Sequence, residues 1–411
     1  MKRYFALCLL VSAATLLAGC YNSGSSAPAP VNVQVVAGDT SATLTWDLTP
    51  GVEYWIFKAA AANLTPQDCL PLPKCGITMK AVSPSVVSGL VNGTLYSFTI
   101  NGRVDGGKGG AGSPSVQATP RLAGATWDLG ATLSSGNLRG VTYGSVFVAA
   151  GDNSALFSST DGINWTTLTS PVAATNLNAA SYYGGTYLVV GAGGVIWRST
   201  DAVTWTPPTS GTTNALYAVT VTGTGGFVAT GASGTILTSV NGKIWTTVPP
   251  VTTNSLYGIT YANNKYVAVG TAGTILTSAD AATWDVPTSN TSSTLNTLKS
   301  IAYAPPVIGT TGSGTFVAVG SSGSMVISSD KGLTWAPTTS PFSTSTIINA
   351  ITYGRQFVAV AEDGSIFTST DGLTWAATTT TPANTSPIYA VTRGLYDYTA
   401  VGAGGLNLHA K

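Results

Sequence analysis

Seven tryptophans, Trp127, Trp165, Trp205, Trp245, Trp284, Trp335 and Trp375, follow one another at gaps of 38, 40, 40, 39, 51 and 40 residues. Ahead of the last six runs an apolar stretch, then Ser, one residue, Asp or Asn, and a short turn. One repeat shows the grammar. Leu256-Tyr-Gly-Ile-Thr-Tyr261 reads as a strand, Asn263-Asn264 as a turn, and Lys265-Tyr-Val-Ala-Val269 as the returning strand. Gly270-Thr-Ala-Gly273 makes a tight hairpin into Thr274-Ile-Leu-Thr277, and Ser278-Ala-Asp280-Ala-Ala-Thr-Trp284 turns toward a fourth strand. The pattern starts again at Leu138, Leu177, Leu216, Leu298, Ile348 and Ile388. A four-stranded unit cannot bury its apolar faces alone, so a period near 40 predicts a β-propeller with one blade per repeat.

The ends of this array are complementary. Trp127 belongs to a fourth strand with no preceding three, and the last repeat, from Ile388, has three strands and no fourth. Pairing them closes a ring of seven blades over residues 124–411 and leaves no open sheet edge at the seam. Charge is scarce, at 8% Asp, Glu, Lys and Arg with a formal net charge of +1. Such a chain carries no electrostatic footprint for a nucleic-acid backbone.

At the N-terminus, Lys2 and Arg3 precede an apolar core from Phe5 to Ala18, which closes on Leu17-Ala18-Gly19-Cys20. This resembles a bacterial lipoprotein signal peptide over residues 1–19. The resemblance implies cleavage before Cys20 and acylation of that cysteine, so the membrane is a partner through a lipid anchor. Tyr21 rather than Asp follows, which by the sorting rule of enteric lipoproteins implies the outer membrane, facing the periplasm or the surface. The alternative is an uncleaved span, but the apolar stretch falls short of about 20 residues. Residues 20–30, rich in Ser, Ala and Pro, read as a flexible linker. With Cys8 in the signal and Cys20 lipidated, Cys69 and Cys75 remain, and an oxidising compartment favours a disulfide between them. The rival, a metal site, lacks a neighbouring His or second Cys pair.

Residues 31–120 change pattern. Ser41-Ala-Thr-Leu-Thr-Trp46 alternates, Glu53-Tyr-Trp-Ile-Phe-Lys58 follows, and Leu90-Val-Asn-Gly-Thr-Leu-Tyr96-Ser-Phe98 comes later. The segment resembles the fibronectin type III family, with Trp46 at its core tryptophan and Leu90, Gly93, Thr94 and Tyr96 at the corner into its sixth strand. The resemblance implies a β-sandwich whose Tyr96 hydroxyl bonds back to backbone. A spacer role is the default for it, and the Gly-rich loop after Asp105 reads as a mobile hairpin end. The fold class is thus all-β, a fibronectin type III sandwich followed by a seven-bladed propeller.

Ser328-Ser-Asp330-Lys-Gly332-Leu-Thr334-Trp335 resembles the Asp-box, or BNR repeat, of sialidase-type propellers. Related turns carry Asp161, Asp201, Asn241, Asp280 and Asp371. A short carboxylate or amide accepts backbone N–H groups in a tight turn, so these are expected to be structural. With the Ala-Val-Gly-x-x-Gly-x-Ile phrase, the whole repeat looks most like the propellers of photosystem II assembly factors. Those relatives are binding scaffolds. A sialidase would need an arginine cluster, but only Arg139, Arg198, Arg355 and Arg393 lie in the blades. The sole histidine is His409. A glycosidase needs two facing carboxylates. Asp152 and Glu362-Asp363 lie in hairpins of non-adjacent blades.

The irregular positions lie one row inward. The residue after the first apolar residue of each inner strand is Arg139, Asn178, Tyr217, Tyr257, Lys299, Asn349 or Tyr389, and the next is always small. These seven are the candidate ligand-binding ring; the other reading has them packing between blades. No catalytic residue, metal site or cofactor is expected. The reading is a non-enzymatic, lipid-anchored envelope scaffold that binds protein or glycan through a propeller face. The alternative is a carbohydrate-active enzyme of glycoside hydrolase type.

Overall fold

The computed structural model describes residues 24–69, 75–172, 174–223, 225–287, 289–290, 296–306 and 312–410. The expected signal peptide and Cys20 lie outside the described residues. The chain divides into two compact units, parting between Leu122 and Ala123.

In the N-terminal unit, one sheet runs in the order Ser26–Ala27, Tyr96–Arg103, Glu53–Ala59, Gly76–Ala81, with Val116–Ala118 also on Tyr96–Arg103. A second sheet joins Gln34–Gly38, Ser41–Thr45 and Ser85–Ser88. Leu44, Trp46 and Val87 meet Tyr54, Ile56, Phe98 and Ile100 in one buried cluster, and Trp46 packs edge-on against Tyr54 at 5.7 Å. Tyr96 is half-buried, and its hydroxyl accepts the Val91 backbone N–H at 3.3 Å. Cys69 and Cys75 form a disulfide with Cα atoms 5.1 Å apart. Cys69 is buried against Phe57 and Leu64. One expectation needs correction. Part of the predicted flexible linker is tied down, because Ser26–Ala27 pairs with Arg103 and Gly102. Ala27 is buried, so its apolar contact holds a segment whose composition reads as tether.

The C-terminal unit is a β-propeller. Among its described residues, seven sheets succeed one another, and each inner strand packs against the next. The inner strands are Leu138–Tyr143, Leu177–Tyr183, Leu216–Val221, Leu256–Ala262, Leu298–Ala304, Ile348–Tyr353 and Ile388–Arg393, here blades 1 to 7. Thr126–Leu129 pairs antiparallel with Asn407–Ala410, so the first strand of the unit completes blade 7. Two blades carry an extra parallel strand, Ser289–Asn290 in blade 5 and Thr379–Thr381 in blade 7.

The fourth strands are shorter than the repeat suggests. In blades 2 and 4 they shrink to single bridges, Arg198 to Thr206 and Thr277 to Asp285. Prolines follow at once, Pro207-Pro208 and Pro287, and a residue without an N–H cannot extend the ladder. The core lies between blades rather than within one. Trp245 of blade 3 packs with Leu188, Val190 and Ile196 of blade 2, and Trp284 of blade 4 with Val228 and Ile236 of blade 3. Trp127 does the same against Val358 and Val360 of blade 6.

Candidate functional site

Every inner strand carries a β-bulge at the same place. In blade 3, Leu216 pairs with Gly231 and Ala218 with Thr230, so Tyr217 has no partner in the ladder. The same shift leaves out Arg139, Asn178, Tyr257, Lys299, Asn349 and Tyr389 in the other six blades. A bulged residue is freed from the pleat and re-aimed. In six blades a glycine faces the strand start beside the bulge, and in blade 6 it is Ala361. A Cβ on Gly270 would stand 2.0 Å from the carbonyl oxygen of Ser255, so only backbone fits there. The following small residue answers a second constraint, since a Cβ on Gly140 would meet Ala179 of the next blade at 2.8 Å.

All seven predicted ring residues line one cavity of about 180 Å³ at the mouth of the central channel. Each is half-buried. The structure then divides them by what their polar atoms do. Asn178 donates to the Leu216 carbonyl at 2.8 Å, and Asn349 to the Ile388 carbonyl at 3.0 Å, each reaching the next blade. Those two tie blades together. Asn349 also holds Glu362 at 2.8 Å, and Arg139 grips Asp152 with two bonds of 2.6 and 3.1 Å. The remaining four are different. Tyr217, Tyr257, Tyr389 and Lys299 make no hydrogen bond or ion pair within the described protein.

Tyr217 and Tyr257 stack with centroids 4.7 Å apart. The Lys299 ammonium lies 5.0 Å from the Tyr257 ring centre, and the Arg139 guanidinium 5.4 Å from that of Tyr389. Burial lowers the Lys299 pKa; Glu362 opposes the shift and Arg139 adds to it. Burial also raises the Tyr217 and Tyr389 hydroxyls, with Tyr257 adding for the first and Glu362 for the second. The mouth therefore presents phenol hydroxyls, the Lys299 ammonium and the Asp152-paired Arg139 guanidinium, flanked by an aromatic platform. It can bind and orient a ligand rich in acceptor oxygens.

The six turn residues lie elsewhere. Asp161 Oδ1 accepts the N–H groups of Ile163 and Asn164 at 2.9 and 2.8 Å and the Ser159 hydroxyl at 2.9 Å. Asp201, Asp280, Asp330 and Asp371 do the same, and the amide oxygen of Asn241 substitutes. Register places these turns at the other end of the blade. Val221 pairs with Phe227 and Phe227 with Ser239, so the Asn241 turn leaves from the end opposite Tyr217. His409 is buried in the closing blade and is not among the residues lining the mouth. Among the described residues, no group of three His, Cys, Asp or Glu gathers as metal ligands.

No family model and no curated protein matches the sequence. Solved structures do. A structure of YCF48 bound to D1 peptide is similar over 69% of this chain and 94% of its own, with a TM-score of 0.56 at 18% identity. YCF48 from Cyanidioschyzon merolae covers 69% of this chain and 98% of its own, with a TM-score of 0.54 at 18% identity. The likeness is one of fold. In this chain the aligned irregular row marks the ring but not the acids that Arg139 and Asn349 hold. Asp152 and Glu362 were visible only as hairpin acids, and their positions one residue past the second strand of blades 1 and 6 were the available signal.

Proposed function

We propose that this chain is a non-enzymatic binding or assembly scaffold of the bacterial cell envelope, engaging a protein partner through the mouth of the propeller channel. The observation that carries this reading is the convergence of Tyr217, Tyr257, Lys299 and Tyr389 on one cavity, their polar tips uncommitted within the described protein. These half-buried tips face the cavity, and a ligand that supplies acceptor oxygens adds hydrogen bonds to them, each worth roughly 0.5–1.5 kcal/mol net. YCF48 is seen bound to D1 peptide, so a propeller of related shape accepts a protein ligand. In this reading Cys20 is acylated and holds the chain to a membrane. The N-terminal unit is a fibronectin type III-like spacer, and the Ser-x-Asp turns are Asp-boxes serving structure.

The glycoside hydrolase alternative asks for two facing carboxylates free to act. The two nearest the mouth are engaged, Asp152 by Arg139 and Glu362 by Asn349. A photoreactive residue placed at Tyr217 in the native envelope tests the scaffold reading. It is expected to cross-link one protein species, while the same residue at exposed Val36 does not. Equal yields at both positions would remove the claim. Polysaccharide turnover abolished by Asp152→Asn or Glu362→Gln would restore the enzyme.

A further inference from the structure

The N-terminal unit holds a cavity that a spacer does not need. Trp55, Phe57, Asn101 and Arg103 alternate along their strands with the core residues Tyr54, Ile56 and Ile100, so they share the outer face of one sheet. Register sets them side by side. Trp55 opposes Asn101, Phe57 opposes Ile77, and Glu53 opposes Arg103. The outer face of such a sheet is ordinarily polar. Here Phe57 is buried with Leu64 and Cys69 beside the disulfide. Next to it lies a space of about 330 Å³, floored by Trp55, Phe57 and Ile77 and walled by Pro66, Gln67 and the glycine loop from Lys108 to Gly110.

That loop fits the site. A Cβ on Gly109 would stand 2.1 Å from Asn101 Nδ2, and one on Gly110 would stand 2.0 Å from the Ala27 carbonyl oxygen. Only glycine lets the backbone come so close. The Gly110 N–H also donates to the Gly102 carbonyl at 3.0 Å. The loop expected to be a mobile hairpin end is packed instead.

The polar groups around this space lack partners. Asn101 is 3% exposed, its Oδ1 is buried without a hydrogen bond, and its Nδ2 makes none within the described protein. Arg103 lies flat over Trp55, its guanidinium carbon 3.4 Å from the ring centre. Its Nε is buried and unbonded, and its Nη1 reaches the Gly107 carbonyl only at 3.5 Å. Glu53 does not neutralise it. That carboxylate accepts the Trp55 indole N–H at 2.6 Å and stands 3.8 Å from Lys80. Burial accordingly lowers the Arg103 pKa, with Glu53 opposing the shift. Lys108 is exposed and has no ion pair among the described residues. No Asp or Glu is among the described residues that line the cavity. Native proteins leave few buried polar atoms unbonded, and here two converge on one space.

We infer that this cavity binds a small organic anion, its apolar body against Trp55, Phe57 and Ile77 and its oxyanion held by Arg103 and Lys108, with Asn101 adding a hydrogen bond. The lining selects this class. A neutral apolar molecule would leave the guanidinium unpaired, and a cation would meet two like charges. An inorganic anion would leave the aromatic floor in water. The chain does not supply the anion itself. Residues 1–38 hold Lys2 and Arg3 and no acid. Asp68 is engaged by the Thr65 N–H and hydroxyl, both at 2.7 Å, and Asp105 is exposed and outside the lining. The site belongs to the N-terminal unit, so it is separate from the channel mouth.

The test titrates the full chain with hydrocinnamate, phenyl phosphate, the neutral hydrocinnamamide and acetate, by ligand-observed saturation-transfer NMR. Saturable binding of hydrocinnamate or phenyl phosphate is expected, and the tighter of the two distinguishes a carboxylate ligand from a phosphate one. Hydrocinnamamide and acetate are each expected to bind about tenfold more weakly, lacking the charge and the apolar body respectively. Arg103→Gln is expected to weaken binding of the anion by about tenfold, with a thermal melt reporting on the fold. Lys108→Glu changes an exposed loop side chain, leaves the melt unmoved, and is expected to weaken binding as well. A channel variant with Tyr217, Tyr257 and Tyr389 changed to Ala is expected to bind as wild type does. Absence of saturable binding by both anions overturns the inference. So does equal binding of the neutral amide, undiminished binding by both Arg103→Gln and Lys108→Glu, or loss of binding in the channel variant.

Discussion

The turn carboxylates show how much a single side chain settles here. Burial alone would raise the Asp161 pKa, but N–H groups of Asn164 and Ile163, the Asn164 amide and the Ser159 hydroxyl outweigh it and hold it at about 2. Backbone N–H groups of the same turn lower Asp201 and Asp280. Asp371 is lowered likewise, and in Asp330 the Thr334 and Ser328 bonds overcome burial. A depressed carboxylate binds fewer protons folded than unfolded, where it titrates near 3.9. Its stabilisation is whole above about pH 4 and is lost as pH falls through the folded value near 2. The urea midpoint should therefore drop across that window, and Asp161→Asn should flatten the drop; a midpoint independent of pH there contradicts the assignment. Gly162 adds a steric prediction. A Cβ there would meet Thr399 Oγ1 at 2.5 Å and His409 Nδ1 at 3.0 Å, at φ +73°. Gly162→Ala should cost about 2 kcal/mol by thermal melt. The spacing of these turns was readable from sequence because they are local. The partners of Arg139 and Asn349 lie 13 residues away across a hairpin, marked only by being the acids one residue past the second strand.

Strands and blades carry the next lesson. The starts of all seven inner strands were legible, since alternation and the glycine hairpins recur with fixed spacing. The bulges were not, because register depends on the partner strand and on the close approach at glycines such as Gly270. The two truncated fourth strands follow from Pro207 and Pro287, which the repeat pattern overrode in reading. Ring closure rests on Thr126–Leu129, whose Trp127 is fully buried and donates to the Gly124 carbonyl at 2.8 Å. Trp127→Ala is expected to cost about 3–5 kcal/mol. Because it removes packing at the seam between blades 6 and 7, amide exchange in Asn407–Ala410 should rise before that of blades 2 to 4. Uniform exchange across the ring would contradict a local seam.

As a whole molecule, the propeller offers two unlike faces from one repeat. Where the repeat is strict it builds the scaffold, so the tryptophan ladder located the blades and said nothing of a ligand. Where the repeat lapses, at the bulged row, the Tyr217, Tyr257, Lys299 and Tyr389 side chains are left without hydrogen bonds in the described protein. The bulged row was visible as irregular residues at one aligned position, but its division into blade ties and uncommitted groups needed coordinates. Asn178 and Asn349 belong to the ties, so changing them should lower stability more than affinity. The most direct test of the account is the affinity of the partner cross-linked at Tyr217 for wild type and for the variant with Tyr217, Tyr257 and Tyr389 changed to Ala, by calorimetry. The account predicts a loss of at least a hundredfold with the melting temperature retained. An unchanged affinity would contradict it.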